Sequence, residues 1–103
     1  MKFWDKRYYL FSQFDQGILL DDESWFSVVP ESVGKYTAER IERALGRTEV
    51  VMDGMCGCGG SLIQMGLNSS LAIGIELDEV KVGYCRNNAS IYGLGEDRLR
   101  VVN

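Results

Sequence analysis

The residues able to do chemistry gather in one run, Val50-Val51-Met52-Asp53-Gly54-Met55-Cys56-Gly57-Cys58-Gly59-Gly60. An apolar stretch delivers a carboxylate and then several glycines, the pattern of a strand that ends in a tight loop. In open α/β sheets ligands bind at that carboxyl edge, where glycines let the backbone approach closely. A phosphate-cradling loop requires Lys followed by Ser or Thr after the glycines, and no such pair follows here. A dinucleotide fingerprint requires a third glycine where Leu62 stands, and it avoids a carboxylate facing the pyrophosphate. Asp53 precedes Gly57 by four residues. An acid in that place suits a ligand with a cationic end, such as the ammonium and sulfonium groups of S-adenosylmethionine. A capping Asp in a plain strand-helix turn accounts for the same pattern without a ligand. A second acid narrows the choice. Ile73-Gly74-Ile75-Glu76 sets Glu76 at the end of another apolar run, 19 residues after Gly57. A carboxylate there accepts hydrogen bonds from both ribose hydroxyls of a nucleotide-like ligand. Asp78 is placed to cap the helix that follows.

These side chains need a scaffold. Glu49 to Met55 reads as a buried strand, Gly57 to Gly60 as a turn and Ser61 to Leu67 as a short helix. Leu71 to Leu77 is a second strand, Glu79 to Tyr92 a second helix, and Arg98 to Asn103 the start of a third strand. This β-α-β-α-β order implies an α/β fold with a parallel sheet and right-handed crossovers. Upstream, Trp4, Tyr8, Phe11 and Phe14 recur at helical spacing, which predicts an amphipathic helix over 1–16, broken at Gly17. Residues 18–26 read as irregular, with acids at Asp21, Asp22 and Glu23. Pro30 suits the first position of another helix, and Glu31 complements its dipole. Val33, Thr37, Ile41 and Leu45 are its expected buried stripe, and Gly46 its C-cap. The chain therefore divides into a helical part, 1–47, and a sheet-forming part, 48–103.

Composition bounds the rest. A chain of 103 residues makes at most one small domain, and an apolar content of 46% excludes a disordered segment. The net charge of −4 gives no global field for nucleic acid. Basic residues do cluster locally at Lys2, Lys6 and Arg7, and again at Arg98 and Arg100. Three cysteines, an odd number without a disulfide spacing, fit a reducing compartment, the cytoplasm or nucleus. Cys56 and Cys58 form half a zinc pattern, but the chain has no histidine and no second cysteine pair, so no metal is expected. No apolar stretch reaches the roughly 18 residues of a membrane span, and no membrane partner is expected.

The sequence resembles the trimethylguanosine synthase family, the cap hypermethylases of small nuclear RNAs, over nearly all of its length. Lys2-Phe3-Trp4-Asp5-Lys6-Arg7-Tyr8 with Leu10-Phe11-Ser12, then Phe14-Asp15-Gln16-Gly17-Ile18, match its N-terminal block. Trp25-Phe26-Ser27-Val28-Val29-Pro30-Glu31 matches its next signature. Asp53 to Gly60 matches its cofactor loop, and Arg86-Asn87-Asn88-Ala89 with Tyr92-Gly93 a later helix. The resemblance implies an incomplete Rossmann-like methyltransferase fold preceded by a small helical segment. It implies S-adenosylmethionine as cofactor, held by Phe11, Val29, Pro30, Asp53, Gly54, Cys56, Gly57, Glu76 and Leu77. It implies 7-methylguanosine-capped RNA as partner, its phosphates met by Lys2, and methyl transfer to the exocyclic 2-amino group of the cap.

Two departures qualify the expectation. The family has Thr where Val29 stands, and Val can neither cap the next helix nor offer a hydroxyl, a loss of roughly 1 kcal/mol. The family's Ser/Asn-Pro-Pro-Trp signature is absent, since Pro30 is the single proline. No catalytic residue is therefore assigned. The sequence is expected to be a fragment or half-site, with an open sheet edge that pairs with a C-terminal half or with a second copy. A non-catalytic cofactor- or cap-binding module, and a methyltransferase for another nucleic-acid base, are the alternative readings.

Overall fold

The computed structural model describes residues 2–103; Met1 lies outside the described residues. The chain begins with two single-turn helices, α1 (Lys2–Asp5) and α2 (Arg7–Leu10), and one 3-10 turn (Phe14–Gln16). The single helix expected here is thus broken, for a packing reason. A continuous helix would hold Phe11 and Phe14 on one face, three residues apart. Instead Phe11 leaves the helix at φ −142° and ψ 111° and packs on Tyr92, ring centroids 6.4 Å apart. Phe14 joins Trp4 and Trp25, each 5.5 Å away. The expected break at Gly17 is present, in a left-handed conformation (φ 108°) that favours glycine.

Within the stretch read as irregular, Ser24–Ser27 forms a short helix, α3. Asp21 nucleates it by accepting the Ser24 N–H at 3.0 Å. Helix α4 (Glu31–Leu45) follows, with Pro30 at its N-cap and Gly46 at its C-cap. Its buried stripe is not the expected one. Val33, Thr37 and Leu45 are exposed, and the inward residues are Gly34 and Ala38 with Ile41 partly buried. Small residues face inward because α4 lies very close to the next helix. A Cβ on Gly34 would come within 3.0 Å of the Gly60 carbonyl and 3.2 Å of Gln64 Cγ. Thr37 Oγ1 bonds back to the Val33 carbonyl at 3.0 Å instead of packing.

The remainder alternates as expected: β1 (Thr48–Asp53), α5 (Gly60–Leu67), β2 (Ser69–Ile75), α6 (Glu79–Ile91) and β3 (Leu99–Val102). The three strands form one parallel sheet in the order β1-β2-β3. One face is buried. Ala72, Leu99 and Val101 join Leu62 and Ile63 of α5 and Val82, Cys85 and Ala89 of α6 in a single core. Leu10, Phe11 and Ile18 belong to the same core, so packing is continuous across residue 47. The other face is open: Val50, Met52, Ile75 and Val102 are 40–59% exposed. Strand β1 is therefore not the buried strand expected. Among the described residues it pairs only with β2, which makes it an edge, and the fully buried strand positions lie on β2 and β3.

Candidate functional site

Two carboxylates stand at the carboxyl edge of the sheet. Asp53 ends β1, and its Oδ1 accepts the Met55 N–H at 3.1 Å, so the side chain folds the turn that follows it. Its Oδ2 accepts no hydrogen bond among the described residues. Glu76 follows β2 directly. Its Oε1 accepts the Gly57 N–H at 3.0 Å, and its Oε2 the Asp78 N–H at 2.8 Å. Glu76 is thus no free strand end; it clamps the glycine loop to the start of α6. Asp78 caps α6 through the Val80 N–H at 2.9 Å, as the sequence predicts.

The loop between them is shaped by its glycines. The Cys56 N–H donates to the Ile75 carbonyl at 3.1 Å, which carries the sheet pairing one step beyond β1. Gly57 is left-handed (φ 55°), and a Cβ there would meet nothing within 4 Å, so its Cα side faces open space. A Cβ on Gly60 would sit 2.6 Å from the Val29 carbonyl, because the strap Val28-Val29-Pro30 crosses the start of α5 at contact distance.

A cleft of about 230 Å³ opens between strap and loop, lined by Val29, Asp53, Cys56, Gly57, Glu76 and others. A second hollow of about 500 Å³ lies beyond Glu76, lined by Gly54, Ile75, Leu77 and Asn103. Glu23, Met55, Glu76 and Lys81 border both. Seven of the nine residues expected to hold a cofactor thus line one or other of these adjoining hollows, and an eighth, Pro30, follows Val29 at the end of the strap. Phe11 lies apart, 2% exposed in the core. Lys2 begins α1 on the surface and borders neither hollow. The three arginines among the local cations are committed to the fold: Arg7 donates to the Trp4 carbonyl at 3.0 Å, Arg98 to the carbonyls of Gly66 and Ser69, and Arg100 to that of Glu96.

Sequence reasoning missed Glu23, Ser24, Ser27, Cys58, Ser61 and Lys81 of the cleft lining. Lys81 forms an ion pair with Asp21 at 3.7 Å and another with Glu23. The hydrogen bond to Glu23 holds the Lys81 ammonium above its ordinary pKa. Burial opposes ionisation of Asp21, but bonds from Ser24 and the charge of Lys81 outweigh it and lower its pKa. The acidic run at 21–23 was a visible signal; its partner 58 residues away was not.

The cysteines engage separate partners. Cys58 Sγ lies 3.0 Å from Ser24 Oγ, and burial pushes its thiol pKa up. Interaction between the neighbouring thiols of Cys85 and Cys56 raises the pKa of the first and lowers that of the second. All three are free and buried.

Helices on one side of a parallel sheet, with paired acids and a glycine loop at its carboxyl edge, define a partial Rossmann-like α/β chain whose groove lies where ligands of such sheets bind. Comparison with known proteins gives this class a name. Residues 48–103 match the family described as RNA cap guanine-N2 methyltransferase, and the chain belongs to that family. It is 39% identical over 101 residues to trimethylguanosine synthase of Schizosaccharomyces pombe, covering 98% of this chain and 41% of that protein. It is 32% identical over 99 residues to trimethylguanosine synthase of Saccharomyces cerevisiae, covering 95% of this chain and 31% of that protein. The chain thus spans 31% to 41% of the length of these relatives.

Proposed function

We propose that the chain forms the S-adenosylmethionine site of a methyltransferase acting on the exocyclic 2-amino group of 7-methylguanosine RNA caps. The observation that carries this reading is that Asp53 and Glu76 line one groove, with Glu76 holding the Gly57 N–H of the glycine loop between them. The residues present fit such a cofactor. The unengaged Asp53 oxygen suits its ammonium group. Each Glu76 oxygen keeps a further lone pair for a ribose hydroxyl. Leu77, 92% exposed beside Ile75, offers an apolar seat for a purine. Gly54, Cys56, Val29 and Pro30 form the walls, and Phe11 supports them from the core.

The cofactor, when bound, supplies an electrophilic methyl group. The chain's own residues bind and orient it and exclude water, which is where such reactions gain most of their rate. No residue of the chain is assigned a proton transfer. The assignment of Lys2 to the cap phosphates is supported by its charge; its helix packs on α3 through Phe3 and Phe26, centroids 6.0 Å apart. The open sheet face and the β1 edge support a covering element, either further protein or a second copy. The free cysteines support a reducing compartment, nucleus or cytoplasm. No helix among the described residues is long and apolar enough to cross a membrane.

The test has two stages. Calorimetry with S-adenosylhomocysteine reads cofactor binding, and a labelled methyl group is then followed from cofactor to 7-methylguanosine diphosphate or to adenine-containing RNA. Label on the guanine supports the reading. Label on adenine alone transfers the chain to another base. Binding without transfer to either favours a non-catalytic module, and a folded chain that binds nothing sinks the proposal.

A further inference from the structure

The least exposed polar side chain near the groove belongs to neither carboxylate. Asn88, in the middle of α6, has no exposed surface. Its Oδ1 accepts the Leu19 N–H at 2.8 Å and a bond from Asn87 Nδ2 at 3.1 Å. Its Nδ2 donates to the Leu19 carbonyl and to the Cys58 carbonyl, both at 3.0 Å. A carboxamide has two donors and two lone pairs, and all four are used. Three of the four bonds reach backbone from two distant parts of the chain. Leu19 lies in an extended stretch outside any helix or strand, and Asn88 gives its two backbone groups the partners a neighbouring strand would otherwise supply. Cys58 is the residue after Gly57 in the glycine loop. Two further bonds run alongside: Ser24 Oγ with Cys58 Sγ at 3.0 Å, and Asn87 Nδ2 to the Gly17 carbonyl at 2.9 Å.

We infer that Asn88 is a positioning residue that makes the segment Gly17 to Ser24 part of the cofactor site. The inference rests on the cofactor reading given above. Glu23 and Ser24, which end this segment, are wall residues of the cleft, and Cys58 belongs to its floor. One buried carboxamide holds wall and floor in register. Docking of the segment and occupancy of the groove are then coupled, and each strengthens the other by the same factor.

The experiment has a mutational arm and an arm on the unaltered chain. Asn88→Ala strands three backbone groups. Asn88→Asp keeps the acceptor toward the Leu19 N–H but loses both donors. Each is expected to weaken S-adenosylhomocysteine binding by about tenfold or more, the effect of leaving a buried polar group unpaired. In the unaltered chain, saturating S-adenosylhomocysteine is expected to slow hydrogen exchange of the Leu19 amide severalfold, although that amide lines neither hollow. Folded variants that bind within twofold of the original overturn the inference. So does a Leu19 amide indifferent to S-adenosylhomocysteine, a result that stands even where a variant fails to fold. An unaltered chain that binds no S-adenosylhomocysteine at all overturns the cofactor reading, and this inference with it.

Discussion

Replacing Glu76 by Gln removes a charge while keeping size and shape, and the structure fixes what that does. The carboxylate is bracketed by two backbone donors, Gly57 N–H at 3.0 Å and Asp78 N–H at 2.8 Å. A carboxamide has one acceptor oxygen, so one of these N–H groups must face an NH₂ donor. A hydrogen bond to a charged group contributes about 1.5–3 kcal/mol when well buried. Glu76 is only partly buried, so the lower part of that range applies, about 1–2 kcal/mol. In a domain of this size each kcal/mol shifts the melting temperature by about 4–8 °C. Glu76→Gln should therefore melt roughly 5–15 °C lower. The same change weakens the acceptors for the ribose hydroxyls, and S-adenosylhomocysteine should bind roughly 10- to 100-fold less tightly. Calorimetric titration and thermal scanning of the same samples read both effects. A drop in melting temperature with affinity unchanged would reduce Glu76 to a loop clamp. Melting within about 2 °C and affinity within twofold of the original would refute the reasoning altogether.

Other perturbations follow from the same geometry. Gly74→Ala puts a Cβ 2.5 Å from Leu62 Cδ2 and 2.7 Å from Cys56 Sγ; overpacking of about 1–3 kcal/mol should lower the denaturant midpoint. Gly60→Ala meets the Val29 carbonyl at 2.6 Å, and should lift the strap and weaken S-adenosylhomocysteine binding more than it lowers stability. Lys81→Met leaves Asp21 and Glu23 unpaired beside the groove, so affinity for the cationic S-adenosylmethionine should rise roughly two- to fivefold relative to S-adenosylhomocysteine; an unchanged ratio in paired titrations would count against a cationic ligand there. Burial and the bond to Glu31 push the Tyr92 pKa up to about 12. Because the folded chain holds that proton more tightly than the unfolded one, this stability is complete below pH ~10 and is lost as pH rises from there to about 12. Tyr92→Phe should flatten that part of the stability profile.

Much of the site was legible because its signal is local. A carboxylate ending an apolar run, glycines behind it and a second acid at the end of the next run are matters of spacing, and a parallel β-α-β-α-β order fixes where their backbones emerge. The helical part was harder to read because its pattern serves several partners. Phe11 and Phe14 share a helical spacing but fill different clusters, so the chain turns between them. Gly34 and Ala38 carry no hydrophobic signal, yet their smallness is what lets α4 lie on α5, while the apolar Val33 and Leu45 stay outside. The Glu23–Lys81 pair and the Asn88–Leu19 bonds join residues 58 and 69 positions apart. No periodicity announces them. The family resemblance located the blocks but not the contacts between them, and it placed Phe11 beside the cofactor where the structure buries its ring against Tyr92.

The central question is whether a nucleoside-like cofactor settles between Asp53 and Glu76. Titration of isotope-labelled chain with S-adenosylhomocysteine, followed by amide resonances, reads this residue by residue. Saturable shifts are predicted for Met55, Gly57 and Asp78, the three amides that donate to those two carboxylates. Shifts absent from all three, or confined to the exposed face of α4, would contradict it.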